Sequence, residues 1–382
     1  MAARSIKLPI FLNIMTFPLN YKIDDAFKFG CGRFRQEYGL LSRCADEIAR
    51  VGRHPLIVCT DISAQIVLPI LEKTMSHVEI PYKSLIHNGY CSPSVAERMV
   101  RQGLLNGFDV IIGCGGGVIL DFSKLLADFT KLPLITIPTS SATCAAYTPL
   151  SVCYDEDGKS LGSPKYKWEI SAVLLDMDIL SAQPPRLLAS GALDAMSKKI
   201  EIEQRMVGLN PDELAPGFAS CHVLADFIYD ELDRKLETAC DDIRNGRHTK
   251  TIEDVVYYSI VDAGLISGLA NGRNQSAIAH KFYLFVRTFF TKEGASFLHG
   301  ELVAIGLVAQ LHYNGDAAGS QAFANRLRAL NLPASLNDLG IPATQKAFDD
   351  CFEFINTSSA MAEAPADGAT RLRNALQTII LL

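Results

Sequence analysis

The chain lacks the features that would place it in several large classes. No stretch reaches the roughly 18 apolar residues that a membrane span requires, and the opening Met1-Ala-Ala-Arg-Ser-Ile-Lys-Leu-Pro9 has no apolar core of a signal peptide. A membrane is therefore not an expected partner, and the cytoplasm is the expected location. Basic residues are not in surplus, with 36 Lys and Arg against 42 Asp and Glu, a net charge of −6. With no basic run interleaved with aromatics, nucleic acid is not an expected partner either, and Arg273 and Lys198-Lys199 read as solvated helix faces. The ten cysteines include no Cys-x-x-Cys pair, which removes the common zinc and redox frameworks and leaves most of them as small buried hydrophobes in a reducing compartment. Also missing is the ordinary dinucleotide fingerprint: counted from Gly113, the residue where Gly-x-Gly-x-x-Gly demands its third glycine is Val118.

What stands in that place is Gly113-Cys-Gly-Gly-Gly-Val-Ile-Leu-Asp-Phe-Ser-Lys124, following the apolar run Phe108–Ile112. A strand, a turn free of side chains and a helix start bring backbone N–H groups close to an anion, at the positive end of the helix. The plainer alternative is a tight strand-to-helix connection, which seldom needs three glycines in a row.

At 382 residues, 48 % apolar and 20 % charged, the chain is an ordinary globular protein with room for two domains. Strand-length apolar runs recur at 55–59, 84–86, 110–112, 134–137 and 172–175, separated by helical patterns at 40–51, 62–76, 94–106 and 121–130. Such alternation predicts a parallel sheet covered on both faces. Beyond residue 178 helical patterns take over, at 185–196, 213–239, 251–269 and 300–313, after the break Gln183-Pro184-Pro185. The expected division is an α/β dinucleotide-binding domain over 1–178 and an all-helical, metal-binding domain over 179–382.

Three residues of the helical half are candidate metal ligands: Asp194 in Gly191-Ala-Leu-Asp194, His280 after Ser276-Ala-Ile-Ala279, and His299 in His299-Gly-Glu301. Singly, each reads as well as a cap, core or solvated residue. Together, two imidazoles and a carboxylate form a catalytic zinc set with an open fourth position. Histidines 54, 77, 87, 222, 248 and 312 have no comparable company. Glu301 reads as a helix first-turn charge or a support for His299, and Lys124 as a phosphate contact or a surface lysine.

The glycine turn with Asp121 and Lys124, the segment Pro138-Thr-Ser-Ser-Ala-Thr-Cys-Ala-Ala-Tyr-Thr-Pro-Leu-Ser-Val-Cys-Tyr154, Gly191-Ala-Leu-Asp194 and His299-Gly-Glu301 occur in this order. In that set, over roughly residues 20–340, the chain resembles the glycerol dehydrogenase branch of the iron-containing alcohol dehydrogenase superfamily. The resemblance implies a Rossmann-like α/β domain followed by an all-α catalytic domain, the architecture shared with dehydroquinate synthases. It implies NAD, with NADP as the alternative, and Zn2+ or another divalent metal on Asp194, His280 and His299, the residues taken as catalytic. Gly115, Gly116, Gly117, Val118 and Asp121 would line the pyrophosphate side; Thr139, Ala142, Thr148, Leu150 and Tyr154 would flank the nicotinamide and its ribose. Asp61 would meet the adenosine ribose hydroxyls, favouring NAD, although the residue also reads as a plain helix start. Cys144 and His280 would face the substrate, and a homo-oligomer is the expected assembly.

Three positions depart from that pattern. Lys198 stands four residues after Asp194, where iron-dependent members place a fourth ligand, a histidine. Cys144 replaces the aspartate with which glycerol dehydrogenases contact a polyol, and Val118 replaces a frequent lysine. The run from Thr143 to Val152 looks most like hydroxycarboxylate dehydrogenases, which reduce small 2-oxo acids. The implied reaction is hydride exchange between a nicotinamide and a small secondary alcohol, a polyol or a 2-hydroxy acid. The alternatives are a dehydroquinate synthase-like enzyme acting on a sugar phosphate and a non-catalytic cofactor-binding relative. The former would call for more cations near the ligands than Lys198, Lys199, Arg273 and Lys281.

Overall fold

The computed structural model describes residues 30–270 and 275–380. Residues 1–29 and Arg273 thus lie outside the described residues. The first half alternates β1 (Phe34–Glu37), α1 (Ala45–Ala49), β2 (Pro55–Cys59), α2 (Asp61–Ser76), β3 (Lys83–Ile86), α3 (Pro93–Arg101), β4 (Val110–Gly115), α4 (Gly117–Thr130) and β5 (Leu134–Pro138). A short antiparallel hairpin, β6 (Cys153–Tyr154) and β7 (Ser160–Gly162), precedes the last strand, β8 (Ala172–Asp176). Then come α5 (Met177–Ser181), α6 (Pro185–Met206), α7 (Pro216–Arg244), α8 (Lys250–Tyr257), α9 (Ala263–Leu269), α10 (Ile278–Phe289), α11 (Thr291–Gly294), α12 (His299–Tyr313), α13 (Ala317–Ala329), α14 (Gln345–Asn356) and α15 (Gly368–Ile380).

Six strands form one parallel sheet in the order β1-β8-β5-β4-β2-β3. The central strands β2, β4, β5 and β8 are buried at every residue, whereas β1 and β3 at the edges are not. This is why the central strands read as uninterrupted apolar runs. It is also why Phe34-Arg-Gln-Glu37, a mixed edge strand, gave no strand signal. The chain moves outward from β2 to β3, then reverses through β4 to β5, so the order switches between β2 and β4. Asp61 and the glycine turn both sit at the carboxyl ends of those two strands, the crevice where open α/β sheets bind ligands.

One sheet face, through Ile57, Cys59, Ile112 and Ile137, packs on Leu40, Leu41, Ile48 and the Val67-Leu71-Met75 face of α2. The other, through Leu56, Val58 and Ile111, packs on α4 and opens without a break into the helical half, where one apolar cluster continues through Leu193, Ile260 and Leu302 to Leu376. Sheet and helices therefore share a core. Among the described residues, no helix is long and apolar enough to cross a membrane.

The predicted helix at 251–269 is interrupted by a π-helical turn, Tyr258–Asp262. Asp262 is buried there, and desolvation pushes its carboxyl up to about 6. Because this folded-state value lies above that of an unfolded chain, ionisation costs stability progressively as pH rises from about 4 to 6. Asp262→Asn should stabilise the protein by about 1–3 kcal/mol above pH 7 and by less near pH 5. Urea unfolding at the two pH values measures the difference; a gain independent of pH would contradict the assignment.

Candidate active site

The turn after β4 is built for close backbone approach. Gly115 has φ +153°, and a Cβ there would lie 2.1 Å from Ile119 Cγ2. Gly116 is the N-cap of α4 and Gly117 its first residue, and no side chain caps the free N–H groups. Ser63, from the start of α2, donates to Cys114 O at 2.9 Å, and Thr139 N–H donates to Gly115 O at 3.0 Å. The turn is thus fixed from both neighbouring strands while its N–H groups stay available to an anion. Val118 is 47 % exposed beside it.

Asp121 and Lys124 lie one helical turn further in, and both are buried. Lys124 Nζ is 2.7 Å from Asp121 Oδ1 and donates to the carbonyls of Thr148 and Leu150. Asp121 Oδ2 accepts the Val152 N–H at 2.9 Å. Lys124 is therefore not the surface lysine of one reading, nor is it free for a phosphate. The pair binds α4 to the 148–152 segment, which carries two of the residues expected around the nicotinamide. Thr148 is buried and Leu150 half-buried. Ala142 lies in the loop after β5, whose Ser141 N–H is held by Gln183 Oε1 at 2.9 Å. Asp61 is the first residue of α2, as its helix-start reading expects; its exposed carboxylate accepts from Asn88 Nδ2 at 2.6 Å.

On the helical side, α6 supplies Asp194, α10 supplies His280 and the first residue of α12 is His299. Glycines let these helices and the loop after β5 converge. A Cβ on Gly191 would lie 1.7 Å from Ser141 O, one on Gly300 1.9 Å from Ser190 O, and one on Gly306 2.6 Å from the Ala279 backbone. The donor atoms of Asp194, His280 and His299 all fall within 4.8 Å of one another. Asp194 Oδ1 is buried without a hydrogen bond, 3.5 Å from His280 Nε2 and 3.4 Å from His299 Nε2. Burial opposes its ionisation, but the Lys198 charge, then the His299 and His280 imidazoles, hold the carboxyl well below the usual range. An ionised oxygen with no donor, facing two imidazole nitrogens, fits a divalent cation.

Glu201 was not singled out from the sequence. It is fully buried on α6, accepts the N–H groups of Ala277 (2.5 Å) and His280 (3.0 Å), and takes His280 Nδ1 at 2.5 Å. It thereby caps α10 from a neighbouring helix and fixes the ring of His280 with Nε2 toward Asp194. Burial would lower the His280 imidazole, but Glu201 and then Asp194 raise it to about 9. The signal was the spacing: Asp194, Lys198 and Glu201 fall at i, i+4 and i+7, one stripe of a helix.

Tyr283 was also missed. Its ring stacks edge-on against His299 at 4.3 Å, and its hydroxyl lies 2.8 Å from that of Tyr154. This joins Tyr154, a residue expected near the nicotinamide, to a metal-ligand candidate. Glu301 supports rather than ligates: it accepts the Leu298 N–H at 2.9 Å and pairs with Arg186 at 2.5 Å, anchoring the start of α12. Cys144 is half-buried, and its thiol is pushed up to about 11 by burial, against the pull of Lys198. It is neutral at physiological pH.

Residues 31–176 match the family model for iron-containing alcohol dehydrogenases. The chain is 30 % identical to hydroxycarboxylate dehydrogenase A of Escherichia coli over 69 % of its length and 72 % of the relative's. It therefore belongs to the iron-containing alcohol dehydrogenase family. Glycerol dehydrogenase of Pseudomonas putida is 27 % identical, over 81 % of this chain and 84 % of that one. The crystal structure of glycerol dehydrogenase from Schizosaccharomyces pombe superposes with TM-score 0.80 at 22 % identity, covering 92 % of this chain and 90 % of that one, and shares the fold.

Glu201→Gln should weaken divalent-metal affinity roughly 10- to 100-fold, as loss of a group orienting a ligating histidine does. Competition against a chromogenic chelator measures it, and unchanged affinity would remove Glu201 from the site.

Proposed function

We propose that the chain is an NAD-linked, divalent-metal-dependent dehydrogenase interconverting a small secondary alcohol, a polyol or 2-hydroxy acid, with its ketone or 2-oxo acid. The observation that carries this reading is the undonated, ionised Asp194 oxygen facing His280 and His299. Asp194, His280 and His299 would hold the metal. Zinc fits this set of one carboxylate and two imidazoles, because Lys198, buried among negative groups and kept protonated, is no fourth ligand.

Bound there, a divalent cation supplies polarisation of a substrate oxygen, and a nicotinamide supplies the two-electron acceptor. Oxidation takes a hydride from the carbinol carbon and a proton from its oxygen; reduction restores both. The protein positions and desolvates. Asp194 contributes the negative charge, Glu201 fixes the face that His280 presents, and Tyr283 steadies His299. Tyr154, whose phenol burial keeps protonated, closes the side toward the nicotinamide segment. The uncapped start of α4, with Gly115, Gly116, Gly117 and Val118, would take the pyrophosphate, and Asp61 the adenosine ribose, which favours NAD over NADP. Asp121 acts through the 148–152 segment that it holds. The two units, 1–178 and 179–382, would meet at this site. A cytoplasmic homo-oligomer acting on a small molecule is the accompanying expectation.

The synthase-like reading would call for more cations than surround this triad. Lys199 is drawn instead to Asp226 and Asp230 on α7, and Lys124 is committed to Asp121.

Oxidation and reduction of the cofactor, followed by absorbance with a panel of polyols, 2-hydroxy acids and 2-oxo acids, should show turnover that chelation abolishes and metal restores. Asp194→Ala and His299→Ala should each lose stoichiometric metal. Full metal retention in both variants, or no hydride transfer with any of the panel, would refute the proposal.

A further inference from the structure

Lys198 is 4 % exposed. Among the described residues its ammonium has no hydrogen bond and no ion pair within 4 Å, although Lys124, Lys199 and Lys235 all find such partners. It stands on α6 one turn after Asp194 and one before Glu201, on the same buried stripe, and both of those carboxylates face the candidate site through His280 and His299. Its charge acts on the same groups, Asp194, Glu201, His280 and Cys144. Its neighbours on the α6 stripe are already engaged, Asp194 with the two imidazoles and Glu201 with His280 and the start of α10. A largely buried cation with no partner is stabilised when an anion arrives to pair with it.

Charge balance points the same way. Two carboxylates, Asp194 and Glu201, offset a divalent cation, which leaves the charge of Lys198 uncompensated. A polyol brings nothing to neutralise it, whereas a monocarboxylate does. The neighbouring Cys144 presents a neutral thiol, so no negative side chain repels such a group there.

We infer that Lys198 is the anchor for the carboxylate of a small 2-oxo or 2-hydroxy acid, and that it selects these acids over uncharged ketones and polyols. This rests on the dehydrogenase reading above and narrows it to one substrate class. Lys198 pairs with the carboxylate while the neighbouring oxygen-bearing carbon sits toward Asp194, His280 and His299. The competing role is purely structural, a counter-charge that only keeps Asp194 ionised.

The test compares pyruvate with hydroxyacetone, which share a three-carbon ketone skeleton and differ in the carboxylate, using metal-loaded enzyme and reduced cofactor. Lys198→Met should lower the ratio of kcat/KM for pyruvate to that for hydroxyacetone by about 100-fold, chiefly through KM for pyruvate, as expected for a buried charge pair. Lys198→Arg should restore most of the ratio. Calorimetric titration of the loaded protein with oxamate, an unreactive 2-oxo acid mimic, should show a comparable loss of affinity in Lys198→Met. A ratio unchanged by the substitution, equal oxamate affinity in the two proteins, or a fall in bound metal that accounts for the loss would overturn the assignment. Should the wild type turn over no member of the wider panel of polyols, 2-hydroxy acids and 2-oxo acids, the dehydrogenase reading fails; whichever ketones it reduces, oxamate binding still decides for or against Lys198.

Discussion

The carboxylate of Asp194 is buried with one oxygen undonated, and much of the surrounding packing follows from keeping that charge ionised away from water. Two helices, α10 and α12, must close on α6, which carries it: Gly300 lets α12 meet the backbone of α6, Gly306 lets it meet that of α10, and Gly191 lets the loop after β5 close on α6 beside the site. The charges around it are graded. Lys198 and the two imidazoles favour the anion directly, and Glu201 aligns one of those imidazoles from a further layer. The side chains of this centre are thus placed by backbone packing and hydrogen bonds within the protein itself.

The nucleotide half obeys a different constraint. Its sheet reverses direction between β2 and β4, and the reversal leaves a crevice into which the start of α4 projects free N–H groups. Besides the apolar core that the two halves share, polar contacts tie them together. Within the first half Asp121 and Lys124 hold the 148–152 segment against α4; across the halves Gln183 holds the loop after β5, and the Tyr154–Tyr283 hydroxyl pair spans from Tyr154 to the ring against His299. The placement of the glycine turn relative to the Asp194 cluster thus rests on the shared apolar core together with these hydrogen bonds.

Much of this was legible in the sequence where burial is total. The central strands were read correctly because residues buried on both faces leave an unbroken apolar run, and the all-helical second half because its strand signals stop near residue 178. The edge strand Phe34–Glu37 and the hairpin at 153–162 escaped, since half-exposed segments of a few residues carry no periodicity. The glycine turn was placed, but its first glycines belong to β4 itself, which runs to Gly115 rather than stopping at Ile112. Asp194, His280 and His299 were recognisable as a set and do converge. Glu201 and Tyr283 were not, because each touches a candidate ligand across the fold, a relation that linear spacing expresses weakly. Lys124 was misjudged as open to solvent or phosphate; only the packed 148–152 segment shows that it is enclosed.

The single apolar cluster that runs from the sheet face into the helices has a consequence for how such a chain can diversify. Units that meet across a polar surface can be exchanged like cassettes, each bringing its own core. Here a crossover near residue 178 would divide one continuous interior, stranding Leu56, Val58 and Ile111 against side chains shaped for another partner. New specificity in this architecture is more accessible through single side chains lining the centre than through reassortment of halves.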